Sequence, residues 1–147
     1  MKKLVAVASA GGHWAQLMRM SPVFDGMDVR YITTAHGVVP SQPGPVYRVT
    51  DANRWQRWRM LRMFLEVGWL LIRIRPQVVI TTGAAPGLAA ILWGRLTGAT
   101  TIWVDSIANS EELSGSGRLA RRVANLCLTQ WAHLADKNSV QCWGAVL

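Results

Sequence analysis

Leu4-Val5-Ala6-Val7-Ala8-Ser9-Ala10-Gly11-Gly12-His13 is the stretch that decides the fold. Residues 4–8 are apolar and partly β-branched, which reads as a buried strand. Small residues and two glycines follow, so the chain turns sharply. Residues 13–20 then read as a short helix that stops near Ser21-Pro22. The lysines before the run suggest a signal peptide, but Gly11-Gly12-His13 cuts the apolar run too short for one. Strand, glycine turn and helix in that order open an α/β unit.

The same design returns downstream. Residues 29–33 form a second predicted strand, and Pro40, Pro43, Gly44 and Pro45 make the next stretch irregular. Residues 47–49 read as a short strand. Residues 55–74 hold no Pro and one Gly, enough for a long helix that Pro76 ends. A strand at 77–81 runs into Thr82-Gly83-Ala84-Ala85-Pro86-Gly87, and a helix at 88–96 has Pro86 near its first turn. A strand at 100–104, a polar loop at 110–117, a helical segment at 118–125 and short apolar runs at 126–129 and 140–143 complete the chain. Strands alternating with helices predict a Rossmann-like, mainly parallel sheet flanked by helices, in one domain over residues 1–147. In such sheets ligands bind at the carboxyl ends of strands. Three places qualify: residues 9–13, 82–87 and 105–109.

Composition narrows the partners. The 147 residues carry 16 Lys+Arg against 8 Asp+Glu, a net charge of +8, and 50% are hydrophobic. That hydrophobic share excludes a disordered chain. Thirteen of the basic residues are Arg, and there are eight Trp. Arg with Trp suits a phosphate-rich partner at an apolar–polar boundary, met by a membrane surface or a nucleic acid. Cys127 and Cys142 have no CxxC partner and no matching His spacing, so neither a metal site nor a disulfide framework is expected. No cofactor is expected either: GxGxxG and GK[ST] are both missing from the glycine turns.

Gly11, Gly12 and His13 on the first turn, and Thr82, Gly83 and Gly87 on the second, are candidates for holding an anion. Glycine lets the backbone approach, and a helix start offers free N–H groups. A tight strand–helix turn explains the same residues without a ligand. His13 and Asp105 are the candidate general bases, with a loop-capping role open for Asp105. In the helix at 55–74, Arg59, Arg62, Glu66 and Arg73 fall within about 60° of one another at 100° per residue. Most of the remaining circumference is apolar. Arg62 and Glu66 would lie near mid-bilayer, which counts against a spanning helix. Two readings stay open: a core helix, or an interfacial one with Trp55, Trp58 and Trp69 among lipid headgroups and Arg54, Arg57 and Arg59 on their phosphates.

Several blocks then match a known family. They are Ala10-Gly11-Gly12-His13, the run Val78 to Gly87, Trp103-Val104-Asp105-Ser106, Leu113-Ser114-Gly115-Ser116-Gly117-Arg118-Leu119, Thr129-Gln130-Trp131 and Trp143-Gly144-Ala145-Val146-Leu147. In this order they resemble the acceptor-binding, membrane-associated subunit of split GT-B glycosyltransferases. Bacterial exopolysaccharide proteins of the PssD type and the anchor subunit of the eukaryotic dolichol-linked N-acetylglucosaminyltransferase belong there. The resemblance implies the fold of a GT-B N-terminal half, as in MurG. It implies a polyprenyl-diphosphate-linked saccharide as acceptor and a separate catalytic subunit that binds the nucleotide-sugar. It implies no activity without that partner, and a peripheral place on the cytoplasmic face of the plasma membrane. The helix at 55–74 would supply the anchoring. Trp143, Gly144 and Leu147, at the apolar end of the chain, are the expected partner contact. A basic α/β nucleic-acid-binding or adaptor module is the alternative, though no nucleic-acid-binding motif accompanies the charge.

Overall fold

The computed structural model describes residues 1–136 and 139–146. Seven strands form one sheet: β1 (Lys3–Ala8), β2 (Asp28–Thr33), β3 (Val46–Arg48), β4 (Val78–Thr81), β5 (Thr100–Val104), β6 (Leu126–Thr129) and β7 (Gln141–Cys142). Their order is β3-β2-β1-β4-β5-β6-β7, and every pairing is parallel. Strand order reverses between β1 and β4, which is where an open α/β sheet leaves room for a ligand. Four helices connect the strands: α1 (Gly12–Arg19), α2 (Arg57–Ile74), α3 (Ala84–Leu96) and α4 (Gly115–Ala120). The predicted strands are all present.

Alternation along β1 sorts the core. Leu4, Ala6 and Ala8 join Trp14, Leu17, Phe24 and Tyr31 on the α1 face. Val5 and Val7 join Met63, Val67, Leu71, Ala89 and Ala90 on the α2/α3 face. A strand buried on both faces must be apolar throughout, which is why residues 4–8 carry no polar side chain. Trp103, Ile91, Leu113 and Cys127 extend the second face toward α4. Burial pushes the Cys127 thiol up to about 12, so it is an inert core residue.

Helix α3 begins at Ala84, four residues before the start that the sequence predicts, and two further helices also differ from the sequence reading. The predicted helix at 55–74 begins at Arg57, because Asn53 Oδ1 accepts the Trp55 N–H at 3.0 Å and holds residues 53–56 in a turn. The predicted loop at 110–117 already contains the start of α4. Ser114 caps it by accepting the Gly117 N–H at 2.9 Å, and the helix stops at Ala120.

Gly68 sets the approach of α2 to α3. A Cβ there would lie 2.4 Å from Trp93 Cε2, and Trp93 Nε1 donates to the Phe64 carbonyl at 3.0 Å. Gly68→Ala must push the indole out of this bond. We expect a loss of about 1–3 kcal/mol, read as a lower urea midpoint at unchanged m-value.

Candidate functional site

The two glycine turns meet at the reversal of strand order. Thr82 Oγ1 donates to the His13 carbonyl at 2.6 Å, and His13 Nδ1 lies 3.0 Å from the Thr82 carbonyl. A carbonyl only accepts, so Nδ1 carries the proton, and in the neutral ring Nε2 is left with the lone pair. Gly11 caps α1 at φ 74 and Gly83 caps α3 at φ 128, and no side chain caps either helix. The first-turn N–H groups of both helices therefore lack side-chain acceptors. On α1 these belong to Gly12, His13 and Trp14. On α3 they belong to Ala84 and Ala85, since Pro86 has none. Ala84 sits at φ 69, a left-handed conformation costly for a residue with a Cβ.

The predicted anion-binding residues divide by role. Gly11 and Gly12 are exposed, and a Cβ on Gly12 would meet nothing within 4 Å. Thr82, Gly83 and Gly87 pack within the turn itself. Thr82 is fully buried and spends its hydroxyl on His13. The Gly83 N–H donates to Thr81 Oγ1 at 3.1 Å, and its bare Cα makes room for the imidazole, whose Cε1 would lie 3.0 Å from a Cβ. Gly87 lies inside α3, and a Cβ there would lie 2.2 Å from Thr81 Oγ1. All three shape the turn, leaving Ala84 and Ala85, which the sequence reading passed over, as its open donors.

Asp105 directly follows β5. It is 1% exposed. Oδ1 accepts from Trp103 Nε1 at 3.0 Å and Ser114 Oγ at 2.7 Å, and Oδ2 accepts from Ser114 N at 3.0 Å. Gly117 must be glycine because a Cβ there would lie 2.6 Å from Oδ1. The carboxylate thus ties β5 to the cap of α4. A buried amide chain, unforeseen in sequence, runs beside it. Gln16 of α1 donates to Ser106 Oγ at 3.0 Å, and Gln130 donates to Gln16 Oε1 at 2.7 Å and the Asp105 carbonyl at 3.0 Å. Val146 N donates to Gln130 Oε1 at 2.6 Å, which joins the C-terminal tail to the helix that carries His13.

Helix α2 divides its apolar residues between a buried and an exposed face. Met63, Val67, Leu70, Leu71 and Ile74 are buried on the sheet. Trp58, Leu61, Leu65, Trp69 and Ile72 form an exposed stripe about 80° wide at 100° per residue. Trp58 is 83% and Trp69 58% exposed, and Trp55 lies just before the helix at 79%. Arg54 stacks over Trp55 at 4.9 Å and Arg73 over Trp69 at 5.0 Å. Arg57 is exposed, whereas Arg59 donates to the Asp51 carbonyl at 2.7 and 3.0 Å. None of the helices among the described residues is long and apolar enough to cross a membrane. At the other end, Trp143 is 69% exposed and Gly144 is exposed, while Leu147 lies outside the described residues. Trp143, Ala145 and Val146 border a groove of about 510 Å³ over Ile80, Ile102 and Leu128 of the sheet. No group of three or more His, Cys, Asp or Glu among the described residues is placed to hold a metal.

Comparison with known proteins agrees with this architecture. Acinetobacter baumannii MurG has a TM-score of 0.79 at 14% identity, over 97% of this chain and 45% of that one. UDP-N-acetylglucosamine 2-epimerase from Rickettsia bellii has a TM-score of 0.74 at 10% identity, over 99% of this chain and 45% of that one. At such identities the likeness is one of fold. A curated protein, UDP-N-acetylglucosamine transferase subunit ALG14 of Eremothecium gossypii, is 32% identical over 78 residues, or 49% of this chain. The chain spans about a third of that relative's length (35%). The family described as Oligosaccharide biosynthesis protein Alg14 like matches residues 48–147, a stretch that begins after the first glycine turn and takes in the second, the Asp105 tie and the C-terminal tail. With more than half of its residues matched, the chain belongs to this Alg14-like family.

Proposed function

We propose that this chain is the acceptor-binding and membrane-recruiting half of a two-subunit glycosyltransferase, which adds a sugar from a nucleotide-sugar to a polyprenyl-diphosphate-linked saccharide. The observation that carries the reading is the meeting of two uncapped, glycine-started helices at the point where strand order reverses. A diphosphate offers the charge that such N–H groups stabilise. The N–H groups of Gly12 and His13 take one phosphate and those of Ala84 and Ala85 the other. His13 Nε2 then accepts the acceptor hydroxyl proton as the sugar is transferred, its ring held by Nδ1–H on the Thr82 carbonyl. Asp105 is a positioning residue that fixes the neighbouring loop.

A GT-B enzyme has two α/β halves, and this chain matches 45% of MurG. The relative in Eremothecium gossypii is itself named a transferase subunit. On the strength of that name, a partner chain supplies the nucleotide-sugar half and docks on the exposed tail about Trp143 and Gly144. The exposed Trp/Leu stripe of α2, flanked by Arg54 and Arg57, supports peripheral attachment to an anionic leaflet, which we assign to the cytoplasmic face of the plasma membrane.

Two outcomes follow. In the reconstituted pair, His13→Ala should lower the rate about 10²–10⁴-fold. Gly12→Val, which meets no protein atom, should raise the acceptor KM without unfolding the chain. Wild-type rate and KM in both variants would leave the turn a purely structural element. For the membrane, Arg54→Gln with Arg57→Gln should remove about 2 kcal/mol of attraction to anionic vesicles. Flotation of that double variant equal to wild type would refute the assignment of α2 to the interface.

A further inference from the structure

Arg30 is the only described residue that is not exposed yet has a buried side-chain nitrogen, Nε, without a hydrogen-bond partner. Its neighbours Val29 and Tyr31 face α1, so alternation along β2 turns Arg30 toward α2. Nη2 reaches Asp28 Oδ2 at 3.4 Å, which leaves Nε unanswered. A buried guanidinium donor without an acceptor is costly, and a bound anion relieves it. Arg30 lines a cavity of about 190 Å³ with Tyr47, Trp69, Leu70, Arg73 and Ile74. Two guanidinium groups and no carboxylate line it.

This small cavity shares three lining residues with a larger, mainly apolar one, whose charged residues are Arg48, Arg62 and Glu66. Tyr47, Trp69 and Leu70 also line a groove of about 910 Å³ between α2 and edge strand β3, which continues past Leu65 and Leu61 to Trp58. The twelve residues from Trp58 to Trp69 span about 16 Å, eleven steps at 1.5 Å each, close to half of a bilayer's ~30 Å hydrocarbon core. A mainly apolar trough about as long as one acyl chain, with a two-arginine pocket at its end, complements one class of ligand. Arg73 lies near the end of α2 away from the glycine turns, so the pocket is separate from the proposed diphosphate site.

We propose that this trough binds a single anionic phospholipid, its phosphate between Arg30 and Arg73 and one acyl chain along α2 against β3. The proposal rests on the membrane reading for its setting and deepens it. A lipid seated there fixes how α2 lies on the bilayer, and so where the diphosphate site faces.

Dihexanoyl-phosphatidylglycerol, titrated into the full chain below its micelle-forming concentration and followed by tryptophan fluorescence, tests this without a membrane. Saturable binding of one lipid per chain is expected. Arg73→Gln, at an exposed position, and Arg30→Gln should each weaken it about tenfold or more. Inorganic phosphate at equal concentration should not displace the lipid. Absent saturation, undiminished binding by both variants, or full displacement by phosphate would each overturn the proposal. Flotation of the wild-type chain with phosphatidylcholine/phosphatidylglycerol vesicles separates the two readings. Flotation with a silent titration removes only the lipid pocket, whereas a saturable titration without flotation removes only the membrane attachment.

Discussion

The reciprocal pair between His13 and Thr82 is the constraint on which the site depends. Two hydrogen bonds, Thr82 Oγ1 to the His13 carbonyl and His13 Nδ1 to the Thr82 carbonyl, pin the start of α1 to the turn before α3. Each bond also has a chemical consequence. The first holds the starts of the two helices side by side. The second fixes the tautomer, so the lone pair of a neutral His13 sits on Nε2. The surrounding small residues follow from this pair. Gly83 leaves room for the imidazole, and Gly87 leaves room for the Thr81 hydroxyl that holds the Gly83 N–H. The cost is carried at Ala84, held at φ 69 where glycine would be easier.

A second set of polar contacts runs away from this point. Gln16 lies one turn along α1 from His13, and it is bonded to Gln130, which holds Val146 of the tail. Buried amides in such a chain must all be satisfied together, because each one left open would cost about 1–3 kcal/mol. The tail and the His13 helix are therefore parts of one packed unit. A partner docked at the tail would rest on the same framework that holds the proposed acceptor site.

Much of the fold was legible because both of its signals are local. The apolar run at Leu4 to Ala8 and the glycines after it need no tertiary context, and the same holds for Val78 to Gly83. The Trp/Arg character of α2 was also plain, but periodicity could not decide which apolar residues lie on the sheet. That depends on how close α3 comes, which Gly68 and Trp93 set. Asp105 reads as a candidate base by its place after a strand. Its partner Ser114 is nine residues on, and only the folded loop brings them together. The glycines of the Leu113–Leu119 block concealed the start of α4, since low helix propensity outweighed the Ser114 cap. Arg30 gave no signal at all, because a lone arginine in a strand differs from a solvated one only once α2 covers it.

The central claim is that this chain by itself offers backbone N–H groups from two helix starts to one diphosphate. Backbone amide NMR of the 16.3 kDa chain, titrated with a short-chain polyprenyl-diphosphate saccharide, tests it most directly. Saturable shifts should concentrate at the amides of Gly12, His13, Ala84 and Ala85, with the His13 ring responding in parallel. Shifts confined to other parts of the chain, with these four amides unmoved at saturation, would contradict the claim.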